Sequence, residues 1–217
     1  MYNMYEVIIY CIMAILMAFA LTPLVRRLAF KLGAVDYPNQ RRVNTQPMPS
    51  LGGLAIYVTF FFIIFFLQPI QLRQSLPLFI AATIVVATGL IDDIKEISPK
   101  AKLLGIVIAA LFIVLINDLT VARFTLPLIG PVNLPFWLGL PATLLWVVAI
   151  TNAINLVDGL DGLASGVSAI ALTTMGLISF FFLGANSYLA TILIYSLVGS
   201  IPVSYTHLRA HETRHDI

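Results

Sequence analysis

Seven apolar stretches, roughly at residues 5–25, 51–67, 77–91, 101–117, 137–157, 163–183 and 188–203, leave little of this chain for anything else. About 20 such residues carry an α-helix across a bilayer. A backbone in hydrocarbon must satisfy its own hydrogen bonds, which a helix does internally. The succession of stretches therefore predicts an all-α, polytopic transmembrane helix bundle with about seven spans. The third and fourth stretches are short, so their helices are expected to run into the flanking segments. Only 10% of the 217 residues are charged, against about 25% in a soluble domain, which excludes a soluble globular protein.

The first stretch is expected to persist as a span. Ala18-Phe19-Ala20 is a weak mimic of a signal cleavage site, but no basic residue precedes the run, while Arg26, Arg27 and Lys31 follow it. That polarity is the reverse of a secretory signal. Cys11 is the single cysteine, so an intrachain disulfide is impossible and a small core residue is expected. Segments after odd-numbered spans hold Arg26, Arg27, Lys31, Arg41, Arg42, Lys95, Lys100 and Lys102, whereas those after even-numbered spans hold Arg73 and Arg123. Basic residues in short loops stay in the cytoplasm, which puts the odd-numbered exits inside and the N-terminus outside.

That parity has a chemical consequence. Asp92-Asp93 ends the third span, and Asn152-Ala153-Ile154-Asn155-Leu156-Val157-Asp158-Gly159-Leu160-Asp161-Gly162 ends the fifth. The basic segment 26–50 leaves the first. All three are expected at the cytoplasmic side and at similar depth, where one cleft gathers them. Polar groups at membrane depth are costly and mark sites. Carboxylates with Asn oxygens suit a hard cation such as Mg²⁺, whose shell is completed by substrate phosphates and water, and ligand type admits Ca²⁺ or Mn²⁺ as well. Four acids on one face repel one another unless a cation lies between them. In a helix that continues to the end of the fifth span, Thr151, Asn155 and Asp158 share a stripe, and Asn152 neighbours Asn155. Gly159, Gly162 and Gly166 are expected to permit close backbone approach, and Gly52-Gly53 suggests close helix contact. Arg41 and Arg42 are charge-assisted donors suited to phosphate.

Plainer readings exist for each feature. Asp92-Asp93 with Lys95 and Glu96 also fits a solvated helix end, and the Asn pair also fits interhelical hydrogen bonding in lipid. Asp118 and Arg123 read as interfacial charges. Phe60, Phe61, Phe62, Phe65 and Phe66 read as packing or lipid-facing rings, and Trp137 and Trp146 as packing or interfacial residues.

Taken together, Gly89-Leu90-Ile91-Asp92-Asp93, the segment 152–164 and the Asp-x-Pro, Arg-Arg and Pro-x-x-Gly-Gly elements of 36–53 resemble the polyprenyl-phosphate N-acetylhexosamine-1-phosphate transferases. The likeness runs over residues 20–200 and is nearest to the branch that starts wall teichoic acid, O-antigen or enterobacterial common antigen synthesis. It implies transfer of GlcNAc-1-phosphate from cytoplasmic UDP-GlcNAc to undecaprenyl phosphate, with release of UMP, in the bacterial plasma membrane. Mg²⁺ is the implied cofactor, with Mn²⁺ as a substitute. By motif position, Asp92 and Asp93 serve the metal and the lipid phosphate, with the role of base open between them. Asp158 is a further metal ligand or a catalytic acid. Asn152, Asn155 and Asp161 position the nucleotide, Lys102 in Lys102-Leu103-Leu104-Gly105 contacts phosphate, and Arg41 and Arg42 bind substrate. No nucleic-acid partner is expected, and a homodimer is compatible with the resemblance.

Two departures qualify the likeness. Asn44 stands where the family often has His, which removes support for a role there. After Leu197-Val198-Gly199-Ser200 the family continues through further spans, a third acidic motif and a His-rich loop, whereas this chain changes composition abruptly. Residues 204–217, with His207, His211 and His215, resemble translated adapter or vector sequence rather than a metal-binding stripe. The expected division is thus 1–203, the N-terminal part of a transferase membrane domain, and 204–217, a non-native tail. On that reading the 217-residue chain alone shows no robust transfer. The alternatives are a phospho-MurNAc-pentapeptide transferase of peptidoglycan synthesis and, in another class, an ion-coupled transporter whose acids lie nearer mid-membrane.

Overall fold

Each apolar stretch is a helix in the computed structural model, which describes residues 4–36, 48–67, 72–95, 97–117, 119–126, 128, 130–157, 163–182 and 188–209. The helices are α1 (Met4–Leu32), α2 (Gly52–Phe62, continued by a π-helical turn, Ile63–Leu67), α3 (Leu72–Lys95), α4 (Pro99–Asn117), α5 (Phe136–Val157), α6 (Leu163–Phe182) and α7 (Tyr188–Arg209). Five of them, α1, α3, α4, α5 and α6, are long and apolar enough to cross a membrane, while Gly52–Leu67 and Leu189–Ile201 are shorter apolar helices. The protein is an all-α multi-pass membrane protein. Its outward apolar side chains, including Trp137 and Trp146 on α5, suit a lipid solvent that offers backbone groups no partners.

Two compact units divide the chain: residues 1–70, 93–96 and 158–217 in the first, 71–92 and 97–157 in the second. In the first unit α7 is the central helix and packs on α1, α2 and α6. Its contact side carries Ile192, Ser196, Gly199 and Ser200, and that of α1 carries Ala14, Ala18 and Thr22. Lipid tails are as apolar as any side chain, so helices in a membrane associate through close packing, which small residues permit. A Cβ added to Gly199 would lie 2.5 Å from the Cys11 carbonyl oxygen and 2.9 Å from the Ala14 Cβ. Between α6 and α7 the Ser179 and Thr191 hydroxyls are hydrogen-bonded at 2.7 Å. Phe60 and Phe61 are buried, Phe62, Phe65 and Phe66 exposed, and the rings stack along the helix with Phe61–Phe65 centroids 6.0 Å and Phe62–Phe66 centroids 4.9 Å apart. The Tyr10 hydroxyl donates to the carbonyl of Leu67, the last residue of the π turn, at 3.3 Å.

α1 runs seven residues beyond the apolar stretch that predicts it, through Arg26, Arg27 and Lys31. Charge does not stop a helix, and long basic stems extend their heads to the interface. The helix stops at Gly33, whose φ of +73° places it in the left-handed region, with the Ala34 amide donating back to the Ala29 carbonyl at 3.0 Å. This is the glycine-ended cap that satisfies terminal carbonyls. Gly33→Ala is expected to lower stability by about 1 kcal/mol through strain at positive φ, read as a lower thermal midpoint in detergent. An unchanged midpoint would show that α1 does not depend on this cap. Just beyond, β1 (Val35–Asp36) pairs antiparallel with β2 (Met48–Pro49), and Ser50 donates to the Ala34 carbonyl through both its amide, 3.1 Å, and its hydroxyl, 2.9 Å. Residues 35–36 and 48–50 are therefore held side by side.

In the second unit α4 packs against α5, and the segment joining them contains an antiparallel hairpin, β3 (Arg123–Leu126) with β4 (Gly130–Asn133). The hairpin forms because the alternation in Arg123-Phe124-Thr125-Leu126 suits a short strand, and Arg123 Nε donates to Asn133 Oδ1 across the pair at 3.1 Å. Arg123 is exposed, in keeping with an interfacial charge. Asp118 lies outside the described residues. The expected close approaches at Gly53 and Gly166 are absent, for a Cβ at either would meet nothing within 4 Å.

Candidate active site

Ser98 sets the geometry of the site. Its side-chain oxygen accepts the Ala101 amide at 3.3 Å and its carbonyl accepts the Ala101 and Lys102 amides at 2.9 and 3.1 Å. Ser followed by Pro99 at the first helical position is a strong helix start. It fixes Lys102 in the first turn of α4, while Asp92 and Asp93 occupy the last turn of α3. Lys102 Nζ donates to Asp92 Oδ2 at 2.8 Å. Both side chains are partly exposed, 33% for Lys102 and 23% for Asp92. Asp93 is exposed, about 100° further round the helix.

One turn back along α3 and one turn on along α4, the two helices touch. A Cβ on Gly105 would collide with the Thr88 side chain, and the Thr88 hydroxyl is held to the Ile84 carbonyl at 2.7 Å. The ion pair therefore stands one turn from the Thr88–Gly105 contact.

Local stability does not explain these charges. Carboxylates at the C-terminal end of α3 and ammonium groups at the N-terminal end of α4 both oppose the helix dipoles, by about 0.3–1 kcal/mol each. An exposed ion pair contributes about 0.2–1 kcal/mol. The Asp92–Lys102 pair thus does little more than offset the cost of its own placement.

At the end of α5 the Thr151 hydroxyl donates to the Val147 carbonyl at 2.8 Å and Asn152 Nδ2 to the Val148 carbonyl at 2.9 Å. Asn152 accordingly turns toward its own helix rather than toward Asn155, and its Oδ1, the atom able to ligate a cation, is not part of that bond. Asn155 is exposed. At the other end of α5 the Val121 amide donates to the Thr143 hydroxyl at 2.8 Å, and a Cβ on Gly139 would lie 2.8 Å from the Val121 carbonyl oxygen. The chain leaving α4 thus rests on the first turns of α5. From there Lys102 lies roughly 22 Å back along α4 and Asn155 roughly 18–24 Å along α5, at 1.5 Å per residue. Side-by-side packing of α4 and α5 then sets the Asp92–Lys102 pair and the Asn152–Asn155 turn at one end of the unit.

Asp158, Asp161, Arg41, Arg42, Asn44 and Glu96 lie outside the described residues. Among the described residues no three His, Cys, Asp or Glu side chains gather to hold a metal ion. The donor set of the described part is a carboxylate pair with amide oxygens, chemistry suited to Mg²⁺. Sequence reasoning did not identify Ser98, Thr88 or Gly105. Ser98-Pro99 was a legible helix-start signal, whereas the Thr88–Gly105 contact has no local sign.

A family model described as glycosyl transferase family 4 matches residues 75–209, a range that contains Asp92, Lys102, Asn152 and Asn155. The chain is 35% identical over 177 residues to a protein of Bacillus subtilis (strain 168) named probable undecaprenyl-phosphate N-acetylglucosaminyl 1-phosphate transferase, covering 82% of this chain and 49% of that one. It is 34% identical over 172 residues to a decaprenyl-phosphate N-acetylglucosaminephosphotransferase of Mycolicibacterium smegmatis, 72% of this chain and 41% of the other. A third similar protein, the undecaprenyl-phosphate alpha-N-acetylglucosaminyl 1-phosphate transferase of Salmonella typhi, is 33% identical over 161 residues, 73% of this chain and 43% of the other. The chain spans about half the length of the curated relatives it matches.

Proposed function

We propose that this chain, which belongs to glycosyl transferase family 4, is part of an enzyme that transfers N-acetylglucosamine-1-phosphate from UDP-GlcNAc to undecaprenyl phosphate and releases UMP. An oxygen of the lipid phosphate attacks the β-phosphorus of the nucleotide sugar. The bond from that phosphorus to the bridging oxygen breaks, and the bridging oxygen leaves on UMP. Phosphoryl transfer of this kind needs positioning and charge stabilisation more than covalent help from the protein.

In this reading Asp92, Asp93 and Asp158 are the oxygen ligands for Mg²⁺, with Mn²⁺ as a substitute. The bound ion supplies neutralisation of the diphosphate charge. Asp92 and Asp93 also face the incoming lipid phosphate and keep its attacking oxygen unprotonated. Lys102 donates to a phosphate oxygen, Arg41 and Arg42 donate to substrate phosphates from the 37–47 segment, and Asn152, Asn155 and Asp161 orient the nucleotide. The excess of basic residues after odd-numbered spans supports a cytoplasmic position for this end, the side from which a UDP-sugar would enter. What supports the reading is that the Asp92–Lys102 ion pair and the Asn152–Asn155 turn lie toward the same end of the packed α4–α5 pair. The names of the similar proteins support the sugar and the acceptor.

The test is UMP release by membranes carrying the full-length enzyme. Release is expected with UDP-GlcNAc and undecaprenyl phosphate together, and with neither alone. Release only with UDP-MurNAc-pentapeptide would move the protein to the peptidoglycan branch, and none with either donor would reject the reaction class.

A further inference from the structure

We propose that Lys102 is a placeholder cation, whose ammonium occupies Asp92 until a metal–diphosphate arrives and then turns onto the diphosphate. The inference rests on the functional reading above and adds an order of events to it. Adjacent carboxylates such as Asp92 and Asp93 repel each other and need a counter-charge. Lys102 provides one, with its ammonium 2.8 Å from Asp92 Oδ2. The oxygen that Lys102 holds is one that a divalent cation would take. The Ser98 cap sets the first turn of α4 and Thr88 lies against Gly105 one turn from the pair, so the part best able to turn is the lysine stem. A lysine is a compact charge on four rotatable carbons, suited to such a turn, and its ammonium is a good donor to phosphate.

The exchange couples two ligands. Metal alone must displace Lys102 and strand its charge, so it binds weakly. With a diphosphate present the displaced ammonium has a new acceptor, so each ligand strengthens the other by the same factor. A lysine that only touched phosphate would leave metal binding in the absence of nucleotide unchanged.

The experiment is a Mn²⁺ titration of the purified full-length protein in detergent, followed by the loss of the free-ion paramagnetic resonance signal, with and without UDP. In the parent, UDP is expected to tighten Mn²⁺ binding about fivefold, the ratio one partly exposed ion pair supports. Lys102→Met is expected to bind Mn²⁺ alone about fivefold tighter than the parent and to show a correspondingly smaller UDP effect. Lys102→Arg, which keeps the charge, is expected to bind Mn²⁺ alone as the parent does, and it guards against a general disturbance of the fold by the Met variant. Tightening in Lys102→Met but not in Lys102→Arg supports the placeholder. Equal Mn²⁺ binding by parent and Lys102→Met overturns it and leaves the transferase reading standing. No Mn²⁺ binding by the parent even with UDP rejects the metal–diphosphate reading and the placeholder with it.

Discussion

Asp92→Asn, Asp93→Asn and Asp158→Asn in the full-length enzyme are each expected to lower UMP release about a thousandfold, the upper range for removing one electrostatic contact from a transferring group. Asn preserves the size of the side chain and one oxygen while removing the negative charge, so the loss reads charge and not shape. At Asp92 the change also strands Lys102, now bonded at 2.8 Å, beside a neutral amide. Lys102 then competes less for the site, yet the metal has lost its anionic ligand, and the second effect dominates because a neutral amide oxygen is a poorer Mg²⁺ donor than a carboxylate. The measurement is the initial rate of UMP release at saturating UDP-GlcNAc, with protein amount and thermal midpoint matched to the parent. Near-normal turnover in all three variants would end the proposed chemistry.

The largest effect on stability is expected at Gly199. An Ala Cβ there meets a backbone carbonyl at 2.5 Å and the Ala14 Cβ at 2.9 Å. Neither neighbour is a flexible chain end that can swing aside, so α1 and α7 must move apart. Overpacking of this kind costs about 1–3 kcal/mol for one added group. The cost spreads, because α7 also packs on α2 and α6 and the membrane supplies no hydrophobic force to pull separated helices back together. Gly199→Leu is expected to be worse than Gly199→Ala and to accumulate poorly. Gly53→Ala is the control, since a Cβ there meets nothing and Ala favours a helix over Gly by roughly 1 kcal/mol. Thermal midpoints in detergent decide it. A Gly199→Ala protein as stable as Gly53→Ala would refute the close α1–α7 contact.

What the sequence revealed and what it hid divide along physical lines. Spans were legible because lipid imposes a length and a composition on any helix that crosses it. The end of α1 was not, since the apolar run ends at Arg26 while the helix ends where Gly33 permits a left-handed turn. Glycine identity announced that space was possible but not where a neighbour would use it. Gly53 and Gly166 face open space, while Gly105 and Gly199 receive Thr88 and the α1 backbone. The acidic pair and the Asn turn stood out as polar groups in apolar surroundings. Their common end followed from counting spans, and the Val121–Thr143 hydrogen bond with α4–α5 packing agrees with that count in the second unit. The partner of Lys102 was hidden, because a bond between residues ten apart on two helices depends on how those helices turn against each other.

The most direct measurement is the distance between the tips of α3 and α5. Spin labels at Ile91→Cys and Leu156→Cys in a Cys11→Ser background, read by double electron–electron resonance in lipid, report it without touching a proposed ligand. Adjacent helices lie about 8–10 Å apart, so tips at one membrane face, separated by no more than one intervening helix, give a distribution centred below about 25 Å once the label arms are counted. Tips on opposite faces of a hydrocarbon core about 30 Å thick give one centred beyond about 35 Å, and that result would contradict a shared site.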